Sequence, residues 1–437
     1  MEIPFWILLP FVAMLLCIAI APLVAEEKWE KNLNKFAVSM VLGSVVAIWM
    51  VANNNAENEF THKLVHQMVF DYIPFILLLT ALFVVTGGIH VKGDIQATPK
   101  VNTLILAIGF VLASLMGTTG DAMLLIRPLL ATNSQRKYTT HTVLFFIALV
   151  ANTGGLLTPL GDPPLFLLYL RGAEFTWFLS LLPIWAFVGI SLLAIYYLLD
   201  TYYYTKHEAL EHLMHDAREQ EPIRIDGNIN FLWLAGVVAS VMFINSGYIP
   251  AMGEEHAPIY IKLLREIVLV AIIFLSLYTT KKQVRQDNHY SWAPIIEVAV
   301  LFVGIFATMT PALIYLNANA ADLGLTKPWQ FYYSAGTLSS FLDNAPTAVA
   351  FHSVATGLPM TEGVPMVAGV QEVLLKAIAT ASVFFGAMTY IGNGPNFMVK
   401  AIAEQEGISM PSFFGYIFKF SLVVLLPVYV VVQLIFF

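Results

Sequence analysis

The chain has 437 residues, 58% of them hydrophobic and 12% charged, a net charge of −7 and a mean hydropathy of +0.74. Apolar runs of about 20 residues recur along its length, which a membrane helix needs and a soluble core does not, so a soluble helical protein is excluded. One cysteine, Cys17, rules out an intrachain disulfide, and no Cys/His spacing suggests zinc.

Twelve apolar segments follow in order: 3–24, 36–52, 71–90, 101–131, 141–171, 177–203, 229–250, 263–280, 293–316, 329–358, 370–403 and 413–437. The first has Glu2 and no Lys or Arg ahead of it, which predicts a retained helix rather than a cleaved signal. Basic residues set the orientation. "EEKWEKNLNK" is assigned to the cytoplasm, as are Lys92, Lys100, Arg136, Lys137, the polar loop 204–228 and "KKQVR" at 281–285. That assignment requires 101–131 and 329–358 to enter and turn back. The expected fold is an all-α polytopic membrane protein with ten spanning helices, two re-entrant hairpins and both termini outside.

The order of segments has an internal symmetry. Helix 71–90, hairpin 101–131, broken helix 141–171 and helix 177–203 form one set. Helix 293–316, hairpin 329–358, broken helix 370–403 and helix 413–437 form the other, with opposite topology. The expected division is N-terminal scaffold helices 1–90, a first inverted repeat 91–203, a cytoplasmic loop 204–228, scaffold helices 229–316 and a second inverted repeat 317–437. Inverted repeats with discontinuous helices are a transporter design, with the site where the breaks converge.

Each of the four breaks combines helix breakers with small oxygen-bearing side chains. "MGTTGDAMLLIRP" carries Thr118, Thr119 and Asp121, and "VANTGGLLTPLGDPP" carries Asn152, Thr153, Thr158 and Asp162. "SSFLDNAPTAVAF" carries Ser339, Ser340, Asp343, Asn344 and Thr347, and "MTYIGNGPNFM" carries Thr389, Asn393 and Asn396. Unwound backbone at membrane depth survives only in protein or beside a wet cavity. Its carbonyls, with Asn, Ser and Thr oxygens, can replace the hydration shell of a small cation, while half-helix N-termini suit an anion. Each mid-membrane aspartate costs about 2.5–3.5 kcal/mol, so a proton, a cation or an arginine must offset it. Asp121, Asn152, Asp343 and Asn344 are the expected sodium ligands. Asp121 and Asp343, one at each hairpin tip, are expected to be indispensable. Asp162, beside Pro163 and Pro164, is expected to cap the following half-helix and to matter less.

These motifs resemble the ion transporter superfamily, which includes sodium-coupled dicarboxylate carriers, arsenite pumps and NhaD-type sodium/proton antiporters. "NTGGLLTPLGDPPLFLLYLRG" and "FLDNAPTAVAF" are especially similar to the NhaD-type antiporters and a related group labelled putative citrate transporters; "YIGNGPNFMVKAIAEQEGISMPSFFGY" also resembles the arsenite pumps. The resemblance covers about 90–437. It implies a homodimer in a bacterial inner membrane, with scaffold helices at the interface and hairpins in a moving, elevator-like transport domain. Acids at the tips depart from the Ser-Asn-Thr tips of dicarboxylate carriers. Sodium/proton antiport is therefore the leading expectation, with cation and protons competing for Asp121, Asp162 and Asp343. A sodium- or proton-coupled carrier of an organic anion such as citrate, or of an oxyanion, is the alternative. Sodium and protons are expected as transported species, with no cofactor and no nucleic-acid partner.

Other polar residues leave their readings open. Arg127 is either a counter-charge to Asp121 or Asp162, an anion anchor, or an arginine reaching the cytoplasmic surface. Glu297 is either a proton-path carboxylate or a first-turn acid favoured by the helix dipole. His352 and Lys376 are expected to be structural. His207, His212 and His215 fit a solvated amphipathic helix better than a pH-sensing patch. No phosphate loop, nucleophile motif or metal-hydrolase spacing is present, which argues against an enzyme.

Overall fold

The computed structural model describes residues 3–29, 31–209, 221–254, 256–359 and 363–437. Its principal helices are α1 (Leu9–Val24), α2 (Asn32–Ala52), α3 (Phe60–Thr86), α4 (Pro99–Met116), α5 (Thr118–Thr132), α6 (Thr140–Leu149), α7 (Pro163–Leu170) and α8 (Leu182–Lys206). The second half contains α9 (Ile229–Phe243), α10 (Leu264–Thr279), α11 (Ala293–Ala318), α12 (Pro328–Phe341), α13 (Asn344–Thr356), α14 (Glu372–Phe385), α15 (Gly394–Gln405) and α16 (Phe413–Phe436). The architecture is that of an all-α polytopic membrane protein.

Among the described residues, 8 helices are long and apolar enough to cross a membrane, fewer than the ten expected. α9 and α10 are 15 and 16 residues long, short of a full span. α4 reaches the length of a span with 18 residues although it belongs to the first hairpin. The expected helix 71–90 begins earlier, at Phe60, and passes through a π-helical stretch at Gln67–Tyr72.

The hairpins form where the chain must reverse. Thr98 caps α4 by accepting a hydrogen bond from the Val101 amide at 3.3 Å, and Pro99 opens the first turn. α4 stops at Gly117, whose φ of 79° is a left-handed conformation that glycine adopts without strain. α5 returns alongside it. The side chains of Asn102 and Asn133 exchange hydrogen bonds of 2.8 and 2.9 Å, so both feet of this hairpin stand at one end of the bundle. Beside them Arg136, expected as a loop charge, is buried against Asp200 at 2.7 Å, and His141 Nε2 meets the same carboxylate at 2.9 Å. Burial of that arginine is tolerable because it is paired.

The second hairpin, α12 and α13, stands at the opposite end. Asn288 donates to the carbonyls of Gly87 and Ile89, so α11 starts where α3 finishes, next to the first hairpin's feet. With 26 residues α11 runs about 39 Å to the far end. There Asn317 donates to Ser353 O at 3.2 Å and to Thr356 Oγ1 at 3.0 Å, holding the foot of α13.

The broken helices run antiparallel between the hairpins. Thr140, at the start of α6, bonds Ser409 O, just past the end of α15. Glu372, at the start of α14, accepts from Trp177, which follows α7. Fully buried aromatics fill the space between these elements, with Tyr429 of α16 packed on Phe384 and Phe385 of α14. Outside, α2 crosses α11 closely because Gly304 faces Ser39, while Val41 and Ile48 of α2 are exposed, as suits a lipid-facing surface. A ribbon not foreseen in the polar loop joins β1 (His90–Asp94) to β2 (Glu221–Asp226).

Candidate functional site

The four breaks meet at one carboxylate. Asp162, 1% exposed, accepts from Thr118 on Oδ1 at 2.6 Å and from Asn344 on Oδ2 at 2.6 Å. Asn393 also donates to Oδ1, at 3.2 Å. Thr118 belongs to the first hairpin tip, Asp162 to the first broken helix, Asn344 to the second tip and Asn393 to the second broken helix. A second layer of amides lies beneath. Asn152 donates to Asn396 Oδ1 at 2.7 Å and accepts from Asn393 at 3.2 Å, while Asn396 donates to the freed carbonyls of Gly386 and Thr389. These bonds satisfy the polar groups that the helix breaks release.

The two halves of this cage are built alike. Thr158 donates to Ser114 O, and Thr389 donates to Ser340 O. Four residues after each threonine stands Asp162 or Asn393, in nearly the same backbone conformation (φ −148°, ψ 144° and φ −148°, ψ 140°). Gly161 lies against the Gly155 carbonyl, and Gly392 against that of Gly386. Four residues after each serine stands Thr118 or Asn344, the two donors on opposite oxygens of Asp162. The motif Thr-x-x-Gly-(Asp/Asn)-x-Pro occurs once in each broken helix, at 158–164 and 389–395, and is the signal that would have aligned the halves in the sequence.

This alignment sets the three acids in different structural positions. Asp121 corresponds to Thr347 and Asp343 to Gly117, so the two tip acids are not equivalents. Asp343 is half-buried and accepts from the Ala345 amide at 3.0 Å, so it is Asp343 whose side chain caps a half-helix. Asp162 stands at the N-terminus of α7 but makes no side-chain capping bond. Asp121 is fully buried, and its two oxygens have no hydrogen-bond partner among the described residues.

Other expected residues hold the breaks in shape. Thr153 bonds Ala148 O, Ser339 bonds Ser382 O, Ser340 bonds Gly336 O and Thr347 bonds Asp343 O. Thr119 lines a cavity of about 70 Å³ together with Gly117, Thr118 and Gly161, against Leu82 and Phe83 of α3 and Pro294 of α11.

Some candidates lie elsewhere. Glu297 pairs with buried Lys35 at 2.6 Å across α11 and α2. Arg127 is half-buried, and among the described residues it makes no ion pair or hydrogen bond with Asp162 or Asp121. Lys376 pairs with Glu372 at 2.8 Å, and His352 bonds Ala368 O at 2.9 Å. His207 packs on Tyr138, Tyr202 and Tyr203, while His212 and His215 lie outside the described residues. The buried cluster of Arg136, His141 and Asp200 carries no local motif, because Asp200 lies 64 and 59 residues from its two partners in sequence.

Chemically, the cage offers one fully buried carboxylate ringed by a hydroxyl and two amides. An amide turned end for end replaces its N–H donors by a carbonyl acceptor, so the same side chains can present oxygens to a cation. Among the described residues no group of three His, Cys, Asp or Glu could hold a metal ion together.

Comparison with known proteins agrees with this architecture. A search of curated proteins found no match. A family model described as "Putative citrate transport" matches residues 1–437, the whole chain. The match ranks the protein among transporters. The chain belongs to the putative citrate transport family.

Proposed function

We propose that the protein is a secondary active transporter that exchanges a monovalent cation, sodium foremost, for protons. One observation carries this reading: all four breaks converge on the single carboxylate of Asp162, and among the described residues the only side chains bonded to it are Thr118, Asn344 and Asn393. A charged oxygen among neutral oxygen-bearing groups suits a monovalent cation, whereas a free tricarboxylate would meet no basic side chain bonded there among the described residues. Sodium and proton are alternative ways to offset a buried carboxylate, which is the basis of exchange. Access alternates because hairpins and broken helices travel together against the scaffold of α2, α3, α9, α10 and α11, carrying the cage intact between membrane faces. The expected setting is a bacterial inner membrane, and the expected assembly is a homodimer.

The family description favours a second reading, a carrier of an organic anion coupled to sodium or protons. Four half-helices, α5, α7, α13 and α15, begin at the cage. Their N-terminal dipole ends suit a carboxylate, with Asp162 then holding the coupling cation. Purified protein in liposomes separates the two. Sodium-driven pH change without citrate uptake is the expected result; citrate uptake that requires sodium, with no sodium-driven pH change in its absence, would replace antiport by symport.

A further inference from the structure

Asp162 and Asn393 occupy the same place in the two halves of the cage. Both stand fifth in the motif that begins at Thr158 or Thr389, both follow a glycine pressed against a glycine carbonyl, and both open a half-helix. Their threonines hook corresponding hairpin carbonyls, at Ser114 and Ser340. The two side chains also touch, with Asn393 Nδ2 3.2 Å from Asp162 Oδ1. In backbone and support the positions match, while their partners differ: Asp162 meets Thr118 and Asn344, and Asn393 donates to Ala151 O and Asn152 Oδ1. They differ in one atom of chemistry, a carboxylate oxygen against an amide nitrogen.

We propose that Asp162 and Asn393 act as a pseudo-twofold carboxylate–amide pair whose single charge limits the cage to one monovalent cation, Asn393 being the residue that sets this selectivity. The inference rests on the cation reading of the cage and extends it to the class of cation. Two amides would leave no charge to hold a cation out of water. Two carboxylates about 3 Å apart cannot both stay ionised without a cation between them, and a divalent ion offsets them best. The amide avoids this by donating to its partner, which also holds the carboxylate's orientation. Because the backbone is equivalent on both sides, the charge should work from either position.

Calorimetric binding of Na⁺ and Mn²⁺ to the purified full chain in detergent tests this, with monodispersity on size exclusion as the folding check. Wild type is expected to bind Na⁺ and not Mn²⁺. D162N is expected to lose Na⁺ binding by on the order of 100-fold, and the swap D162N/N393D to return to within about tenfold of wild type. N393D alone is expected to acquire Mn²⁺ binding. A monodisperse swap variant that stays as weak as D162N would overturn the pairing, and so would Mn²⁺ binding by wild type or a monodisperse N393D that binds none. Wild type that binds no Na⁺ would overturn the cation reading itself and this inference with it.

Discussion

Asn344 donates to Asp162 Oδ2 at 2.6 Å across 182 residues of sequence, joining the tip of one inverted hairpin to the broken helix of the other half. The contact makes the carboxylate a shared possession of both halves. Losing a hydrogen bond to a charged group costs roughly 1.5–3 kcal/mol, which is about ten- to a hundredfold in affinity. Asn344→Ala should therefore weaken sodium binding by on the order of tenfold or more in calorimetry. An unchanged dissociation constant would remove Asn344 from the cage.

Asp343 should separate stability from binding. Asparagine caps a helix as well as aspartate does, so Asp343→Asn should leave thermal stability near wild type. Asp343→Ala removes the acceptor for the Ala345 amide and should cost about 1 kcal/mol. Melting of the two purified variants checks the order; equal losses would show that the cap contributes nothing.

The paired glycines should be unforgiving. A Cβ at Gly392 would sit 2.6 Å from the Gly386 carbonyl oxygen, and at Gly161 the Gly155 carbonyl is closer still. Backbone cannot move aside as a side chain can. Gly161→Ala should lower stability by about 3 kcal/mol or more, and Gly392→Ala by less. Fluorescence-detected size exclusion after a heat step ranks them, and a Gly161→Ala protein as stable as wild type would contradict the close approach.

The proposed movement of the cage against the scaffold predicts that a crosslink can arrest it. Arg171, after α7, approaches Asp71 of α3 with Nη2 3.5 Å from Oδ2, while Asn102 and Asn133 join two arms of one hairpin. Cysteines at 71 and 171, once crosslinked, should stop flux, and reduction should restore it. Cysteines at 102 and 133 should crosslink without arrest. Undiminished flux in the crosslinked 71–171 protein would rule out relative motion at that boundary.

The ribbon of β1 and β2 should loosen in acid. Burial, and then the neighbouring Lys92, hold the His90 imidazole below its ordinary value of 6.5, while nearby Asp287 and Asp226 pull it up and His289 adds to the lowering. A histidine whose folded value is depressed takes up its proton more readily when unfolded, so its stability contribution is lost as pH falls through about 6.5. Hydrogen bonds from Lys92 and Gln283 hold Asp287 below 3.8, which acts in the same direction at lower pH. Amide exchange in 90–94 and 221–226, corrected for intrinsic rates, should rise between about pH 7.5 and 5.5. His90→Asn should flatten that rise; an unaltered profile would mean another group is responsible.

Much of this protein was decided locally. Long apolar runs can bury their backbone polar groups in a membrane only as helices, so the class of fold follows from hydropathy. Gly117, Pro163 and the Gly-Pro and Asn clusters break those helices wherever they fall in the chain, so the breaks and their oxygen-bearing residues were also legible. What the local pattern could not supply was which acid stands at the centre. Asp343 makes the capping bond and Asp162 gathers the donors, because capping depends on where a carboxylate lies relative to one amide, and the cage on three side chains brought from 44, 182 and 231 residues away. Only the packing of two inverted halves against each other fixes those distances. It is packing, too, that turns a short recurrent motif into an equivalence between Asp162 and Asn393, since each position is defined by hairpin and glycine carbonyls that lie outside its own segment or across its break.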